Sequence, residues 1–300
     1  MTTPIAYQAA TMAVELYTPA QLVAHYNWTH DRHGNVNPVL HARFTAADGE
    51  FDGYAKPFDW NDLAQATTIL NEVTGWLLAR ASGLPCAARA FFIQLAAADL
   101  PRYTGAHPLP APDAQGFVIC FATQAVNNTA IKGLYLTDLL AKEQSEWGHC
   151  DQTSPFDEAL ANTDRHVFNL LRRGSGDFVL IDHGNLLRDM RLPYPLHWQA
   201  DAIEAMTDKP FANVLHTNTY PLFGRTAPGV CAAGCSQGLT FSAKIHQSVQ
   251  RTLFEVSFWC SRLLPGTSER WLRFLHQRTH KEPMSELLHK RFGLIPIHVP

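Results

Sequence analysis

The stretch Asn162-Thr163-Asp164-Arg165-His166-Val167-Phe168-Asn169, followed by Ile181-Asp182-His183-Gly184, decides how this chain is read. An Asp that can accept a hydroxyl proton is followed five residues later by Asn169. A second Asp stands just after an apolar run, Val179-Leu180-Ile181, and before a turn Gly. Magnesium prefers a few oxygen ligands, such as a carboxylate and an amide, together with water and phosphate. Asn169 and Asp182 are therefore the candidate metal ligands and Asp164 the candidate base. Transfer of a phosphoryl group from ATP needs such a set, because it is mostly positioning and charge neutralisation.

Working outward, the segment between these motifs predicts a strand pair around 169–171 and 178–181. It closes on the turn Arg173-Gly174-Ser175-Gly176. Upstream, residues 36–44 and 50–58 read as a hairpin across Ala46-Ala47-Asp48-Gly49, with the Asp-Gly signal of a tight turn. Alternation along the returning strand puts Tyr54 and Lys56 on one face and Ala55 on the other. A helix over 61–82 follows, with Leu63, Ala66, Ile69, Leu70, Val73, Leu77 and Leu78 on one stripe. Gly83 and Pro85 stop it. Residues 87–95 and 117–121 read as apolar strands around a Pro-rich loop over 99–115. Thr18-Pro19 reads as the cap and first position of a helix over 18–30.

Beyond Thr123 the pattern turns helical, with helices expected near 134–145, 155–162, 196–206, 242–264, 268–278 and 283–291. The expected fold class is α+β. A β-rich N-terminal lobe over 1–124 holds a sheet and one long helix, and a mostly helical lobe over 125–300 carries the catalytic and metal-binding loops.

A triphosphate needs a cation, and Lys56 in Gly53-Tyr54-Ala55-Lys56-Pro57 is the candidate, with Glu72 on the next helix to hold it. Backbone groups from Cys120 to Ala122 are the candidate edge for the adenine base. No Gly-x-Gly-x-x-Gly is present, and Gly34-Asn35-Val36-Asn37-Pro38 is the best substitute for a phosphate-covering loop.

Composition limits the alternatives. Hydrophobic residues make up 46% of the 300 positions, enough for a sizeable core. A net charge of −3 argues against direct nucleic-acid binding by the whole chain. Arg270, Arg273, Arg278, Lys281, Lys290 and Arg291 form a basic face diluted by Glu269, Glu282 and Glu286. The six Cys contain no Cys-x-x-Cys pair, and Cys231 with Cys235 is the only close couple, which fits a reducing compartment. Met1-Thr-Thr-Pro-Ile opens without a basic stretch ahead of an apolar one, and no run approaches a membrane span. A cytoplasmic protein without a membrane partner is expected.

Asp164-Arg-His-x-x-Asn169 with Ile181-Asp-His-Gly184 resembles the HipA-like kinases and, more distantly, the phosphatidylinositol 3- and 4-kinases. Tyr54-Ala-Lys56-Pro57 and Asn71-Glu72-x-x-Gly75 are also similar to HipA-like domains. Protein kinases use a related set, H-R-D-x-x-x-x-N and D-F-G, with Asp as base and Asn and Asp on metal. The resemblance covers about 36–184. It implies a two-lobed, atypical protein-kinase-like fold that binds ATP and Mg2+. It implies catalysis by Asp164 with support from His166, and magnesium held by Asn169 and Asp182. The reaction it implies is phosphorylation of a Ser/Thr hydroxyl on an acceptor protein. HipA itself is a toxin paired with a DNA-binding antitoxin, so an antitoxin-like partner is a further expectation. The chain departs from HipA in lacking a long N-terminal subdomain and in carrying Arg165 within Asp-Arg-His. Two other readings fit the same residues: a catalytically silent nucleotide-binding regulatory module, and a kinase of lipids or small molecules.

Overall fold

The computed structural model describes residues 12–29, 38–105, 107–127, 136–186, 211, 215 and 228–292. A mixed six-stranded sheet is built from β1 (Val14–Tyr17), β2 (Leu22–Thr29), β3 (Val39–Ala46), β4 (Gly49–Pro57), β5 (Ala90–Ala96) and β6 (Phe117–Gln124), in the order β1-β5-β6-β4-β3-β2. Only β1 and β5 run parallel. The helix α1 (Leu63–Ser82) lies between β4 and β5 in the chain. After it come α2 (Leu136–Glu146), α3 (Cys150–Ala159), the hairpin β7 (Leu170–Gly174) and β8 (Asp177–Leu180), then α4 (Pro228–Leu263), α5 (Ser268–Thr279) and α6 (Lys281–Phe292). The architecture is α+β, as the sequence predicts.

Register divides the sheet into two faces, because directly opposed residues point the same way. Leu40, Ala55, Ala122 and Phe91 stand opposite one another across four strands and belong to a buried cluster with Phe44, Ile93, Cys120 and Val118. Trp28 donates from Nε1 to the Pro101 carbonyl at 2.8 Å, which ties the Pro-rich loop over this face. On the other face, Lys56 stands opposite Phe121, and Phe121 opposite Phe92. There α1 and α4 pack, with the rings of Phe92 and Trp259 4.4 Å apart.

The central helix is α1. Asp62 caps it by accepting from Ala64 N–H at 2.9 Å, and Gly83 at φ 74° ends it in the left-handed conformation that favours glycine. Most of its residues are buried on all sides, because the sheet covers one flank and the C-terminal helices the other. Trp271 of α5 reaches Thr74 Oγ1 at 3.2 Å. One hydrophobic cluster runs from Phe58, Leu70 and Phe121 through Phe156 and Phe178 to Trp271 and Leu288, so it draws on both sides of residue 124.

The structure departs from the sequence reading at several elements. Residues 18–30 do not form a helix. Gln21 Oε1 accepts the Thr18 N–H at 2.6 Å, but the helical turn is a single 3-10 turn over Pro19–Gln21. Val23, Tyr26, Trp28 and Thr29 are β-formers, and pairing with β3 outweighs the start signal. The four-residue β1 carried no signal that separated it from a loop. The helix expected from 155 begins at Cys150 and holds Pro155 inside it, and the one expected from 242 begins at Pro228. The helix expected over 196–206 lies outside the described residues. Among the described residues, no helix is long and apolar enough to cross a membrane.

Candidate active site

The site forms where β4, α1 and the end of β8 meet. Alternation on β4 aims Lys56 at α1, as expected. Its Nζ forms an ion pair with Glu72 Oε1 and sits 3.2 Å from Asp182 Oδ1. Glu72 is 6% exposed, Lys56 28% and Asp182 37%, so the cluster opens towards solvent on the Asp182 side. Burial works against the charge on Lys56, but Asp182 and Glu72 outweigh it and hold the ammonium above its ordinary range. The Lys56 charge holds the Asp182 carboxyl well below the usual carboxylate range, against burial. Burial raises Glu72, with Lys56 opposing.

The motif Asn71-Glu72-x-x-Gly75 finds its physical reason here. All three residues grip the segment that carries Asp182. Glu72 Oε2 accepts the His183 N–H at 2.8 Å. Asn71 Nδ2 donates to the carbonyls of Gly184 and Leu186 at 2.9 and 3.0 Å. Gly75 leaves room for the His183 ring, because a Cβ there would overlap the ring's Cβ and Cγ and lie 2.8 Å from Nδ1. Gly184 is equally confined: a Cβ on it would sit 2.9 Å from Thr68 Cγ2. Asp182 itself has φ 55°, a left-handed conformation unusual for a residue other than glycine but better tolerated by Asp than by most. The hydrogen bonds on either side of it hold the backbone there.

The segment 162–169 supplies the other half. The Asp164 N–H bonds to Asn162 Oδ1 at 3.1 Å, and Asn185 Nδ2 donates to Asp164 Oδ2 at 2.6 Å. Asp164 is half-buried, with its carboxylate held from behind by that amide. His166 is also half-buried, and its Nδ1 accepts the Phe168 N–H at 3.2 Å. That bond leaves the proton of the neutral ring on Nε2. Asn169 Nδ2 donates to the Asp164 carbonyl at 2.8 Å, which turns the amide oxygen the other way.

The donor set suits a hard cation. Asn169 offers an amide oxygen and Asp182 a carboxylate, and their segments touch, because Ile181 N–H bonds to the Asn169 carbonyl at 3.2 Å. Among the described residues, no group of three or more His, Cys, Asp or Glu is arranged to hold a metal. That is compatible with magnesium, which keeps water and phosphate ligands.

Two expectations need correction. Cys120 and Ala122 lie on β6, an interior strand paired with β4 on one side and β5 on the other. Their backbone groups face these two ladders, so they do not offer an edge to a base. The ladder ends at Gln124, and Ala125 N–H is already bonded to the Asp52 carbonyl at 2.7 Å. Arg278 is not part of a basic face. It is fully buried, paired with Glu158, and its guanidinium lies 5.0 Å from the centroid of the Phe211 ring. Arg273 and Lys290 pair with Glu269 and Glu286. Of the stretch 34–38, read as the phosphate-covering loop, residues 34–37 lie outside the described residues.

Sequence reasoning missed Asn185 and Asp157 and gave Arg165 no role. Arg165 is fully buried between its two half-exposed neighbours and pairs with Asp157. A charged residue inside an otherwise reactive motif was the available signal. Beyond its own segment its side-chain partners come from α3 and from 181–183, which spacing does not reveal. His183 lies against Arg165, and burial together with that positive charge holds its pKa well below the ordinary value.

The chain matches no family model, and no curated protein matches it at a significant level.

Proposed function

We propose that this chain is an ATP- and magnesium-dependent phosphotransferase of HipA-like, two-lobed kinase type, with lobes over 1–124 and 125–300, that transfers to a protein Ser/Thr hydroxyl. One observation carries the reading. Around Lys56 meet Glu72, from the next helix, and Asp182, from 126 positions away. A strand lysine bonded to a helix glutamate, beside an Asp that precedes Gly, is the arrangement that orients ATP phosphates in kinases.

In this reading Lys56 meets the phosphates and Glu72 keeps its ammonium aimed. Asn169 and Asp182 would hold magnesium, which when bound neutralises charge on the phosphate oxygens. Asp164, oriented by Asn185, takes the proton of the acceptor hydroxyl. The hydroxyl oxygen bonds to the γ-phosphorus while the bond to the β-phosphate oxygen breaks, and ADP leaves. His166 supports Asp164 from the same side of the loop. We assign the protein to the cytoplasm, where ATP is available and where a free thiol such as Cys120 persists.

A lipid acceptor gains no support from the C-terminal helices, where Arg278 is buried and Arg273 and Lys290 are paired. The test is transfer of radiolabelled phosphate from ATP to a panel of proteins, by the unsubstituted chain and by Asp182→Ala. Label transferred by the former and lost in the latter is expected. Equal labelling removes Asp182 from the reaction. ATP binding without turnover on any acceptor indicates a silent regulatory module instead.

A further inference from the structure

We propose that Arg165 is a positioning residue, a buried clamp that sets the spacing of the two magnesium ligands; this rests on the ATP and magnesium reading above. The backbone at His166 is extended, with φ −125° and ψ 174°, so successive side chains point to opposite sides. Asp164 and His166 are half-buried, while Arg165 turns inward and is fully buried.

There its fork is used in every direction. Nε and Nη2 reach Asp157 Oδ1 at 3.3 and 3.1 Å, which supplies the counter-charge. Nη1 donates to two carbonyls at once, that of Asn169 at 3.0 Å and that of Ile181 at 2.8 Å. Nη2 also lies 3.4 Å from His183 Nδ1, which must be the acceptor because arginine only donates. One nitrogen therefore holds the backbone of one ligand, Asn169, and of the residue adjoining the other, Asp182. Lysine offers a single compact head in place of this planar fork and cannot make the same set of bonds. Asp157 is itself anchored, accepting from Asn162 Nδ2 at 2.9 Å, so the clamp is tied to α3 as well. A group that orients ligands without touching the metal changes metal affinity by about 10–100-fold when removed.

The test uses the full chain with a non-hydrolysable ATP analogue and Mn2+, followed by electron paramagnetic resonance, which reads metal binding independently of turnover. Two variants are compared with the unsubstituted chain. Arg165→Lys keeps the charge and loses the fork. Arg165→Met with Asp157→Leu removes both charges together, which protects folding because no buried charge is left unpaired. The expected result is Mn2+ affinity weakened about 10–100-fold in both, with metal-free nucleotide affinity unchanged within about twofold. Mn2+ affinity unchanged in a folded variant overturns the clamp and leaves the kinase reading standing. An unsubstituted chain that binds neither nucleotide nor Mn2+ overturns the kinase reading, and the clamp with it. Amide hydrogen exchange on the unsubstituted chain tests the clamp even if neither variant folds. The Ile181 amide, bonded to the clamped Asn169 carbonyl, is expected to be protected without nucleotide or metal. Exchange there at the rate of an unstructured peptide overturns the proposal.

Discussion

Replacing Gly75 by alanine sets two opposing effects of known size against each other. In a helix interior, Gly→Ala ordinarily gains about 0.5–1 kcal/mol, because the unfolded chain loses less entropy on folding. Here the new methyl would overlap Cβ and Cγ of His183 and lie 2.8 Å from Nδ1. The ring has little room to retreat. His183 is 3% exposed, its backbone N–H is held by Glu72, and Phe156 stands edge-on to its ring with centroids 5.9 Å apart. Forcing an extra methyl into such a core costs about 1–3 kcal/mol, which outweighs the gain in propensity. Gly75→Ala is therefore expected to destabilise the chain by about 1–2 kcal/mol in urea unfolding followed by tryptophan fluorescence. It is also expected to weaken ATP turnover, because His183 cannot move without moving Asp182. His183→Gly, which removes Cβ as well as the ring, should return most of the loss in the same background, giving a coupling of about 1 kcal/mol or more in a double-mutant cycle. A Gly75→Ala variant stabilised by about 0.5–1 kcal/mol, or additive effects of the two substitutions, would refute the packing argument.

Two further outcomes follow from the charges. Lys56→Met leaves the buried Glu72 without its cation, and a stability loss of about 1–3 kcal/mol at pH 8 is expected. Burial raises Glu72, so in the variant it takes a proton in the folded state before it does so unfolded. Stability tied to that proton is lost as pH rises, so the deficit should be smaller at pH 5 than at pH 8, and an equal deficit at both would contradict this. His183 is held neutral in the folded state, while the unfolded chain protonates it near pH 6.5. Stability tied to it is intact above that pH and falls below it, reaching a loss of about 1.4 kcal/mol by pH 5.5. His183→Phe should remove that part of the slope, and a parallel pH profile in the two proteins would exclude it.

Strands β3 to β6 and the Lys56–Glu72 pair were legible because each rests on local pattern: a hairpin turn at Asp48-Gly49, alternation along β4, apolar runs in β5 and β6, and a helical stripe from Leu63. Asp164, Asn169 and Asp182 stand out in the sequence for a different reason, since their spacing resembles that of the protein-kinase set. What was not legible depends on contacts between distant segments. Thr18-Pro19 starts a helical turn, and only pairing with β3 turns the following residues into a strand. Arg278 reads as one more surface cation, and its burial depends on Glu158, 120 positions away. Cys120 and Ala122 were assigned a binding edge because an apolar strand does not declare whether it is interior. Asn185 reads as a loop residue until Asp164 is placed beside it.

The most direct test of the central claim is calorimetric titration of ATP with Mg2+ into the unsubstituted chain and into Asp182→Asn, each repeated with EDTA. The unsubstituted chain should bind ATP in the range of about 1 μM–1 mM usual for enzyme substrates, and more weakly when Mg2+ is chelated. Asp182→Asn should lose that dependence on Mg2+. No binding by the unsubstituted chain, or isotherms that Mg2+ and Asp182→Asn leave unchanged, would contradict the assignment of Lys56, Asn169 and Asp182 to a magnesium–ATP site.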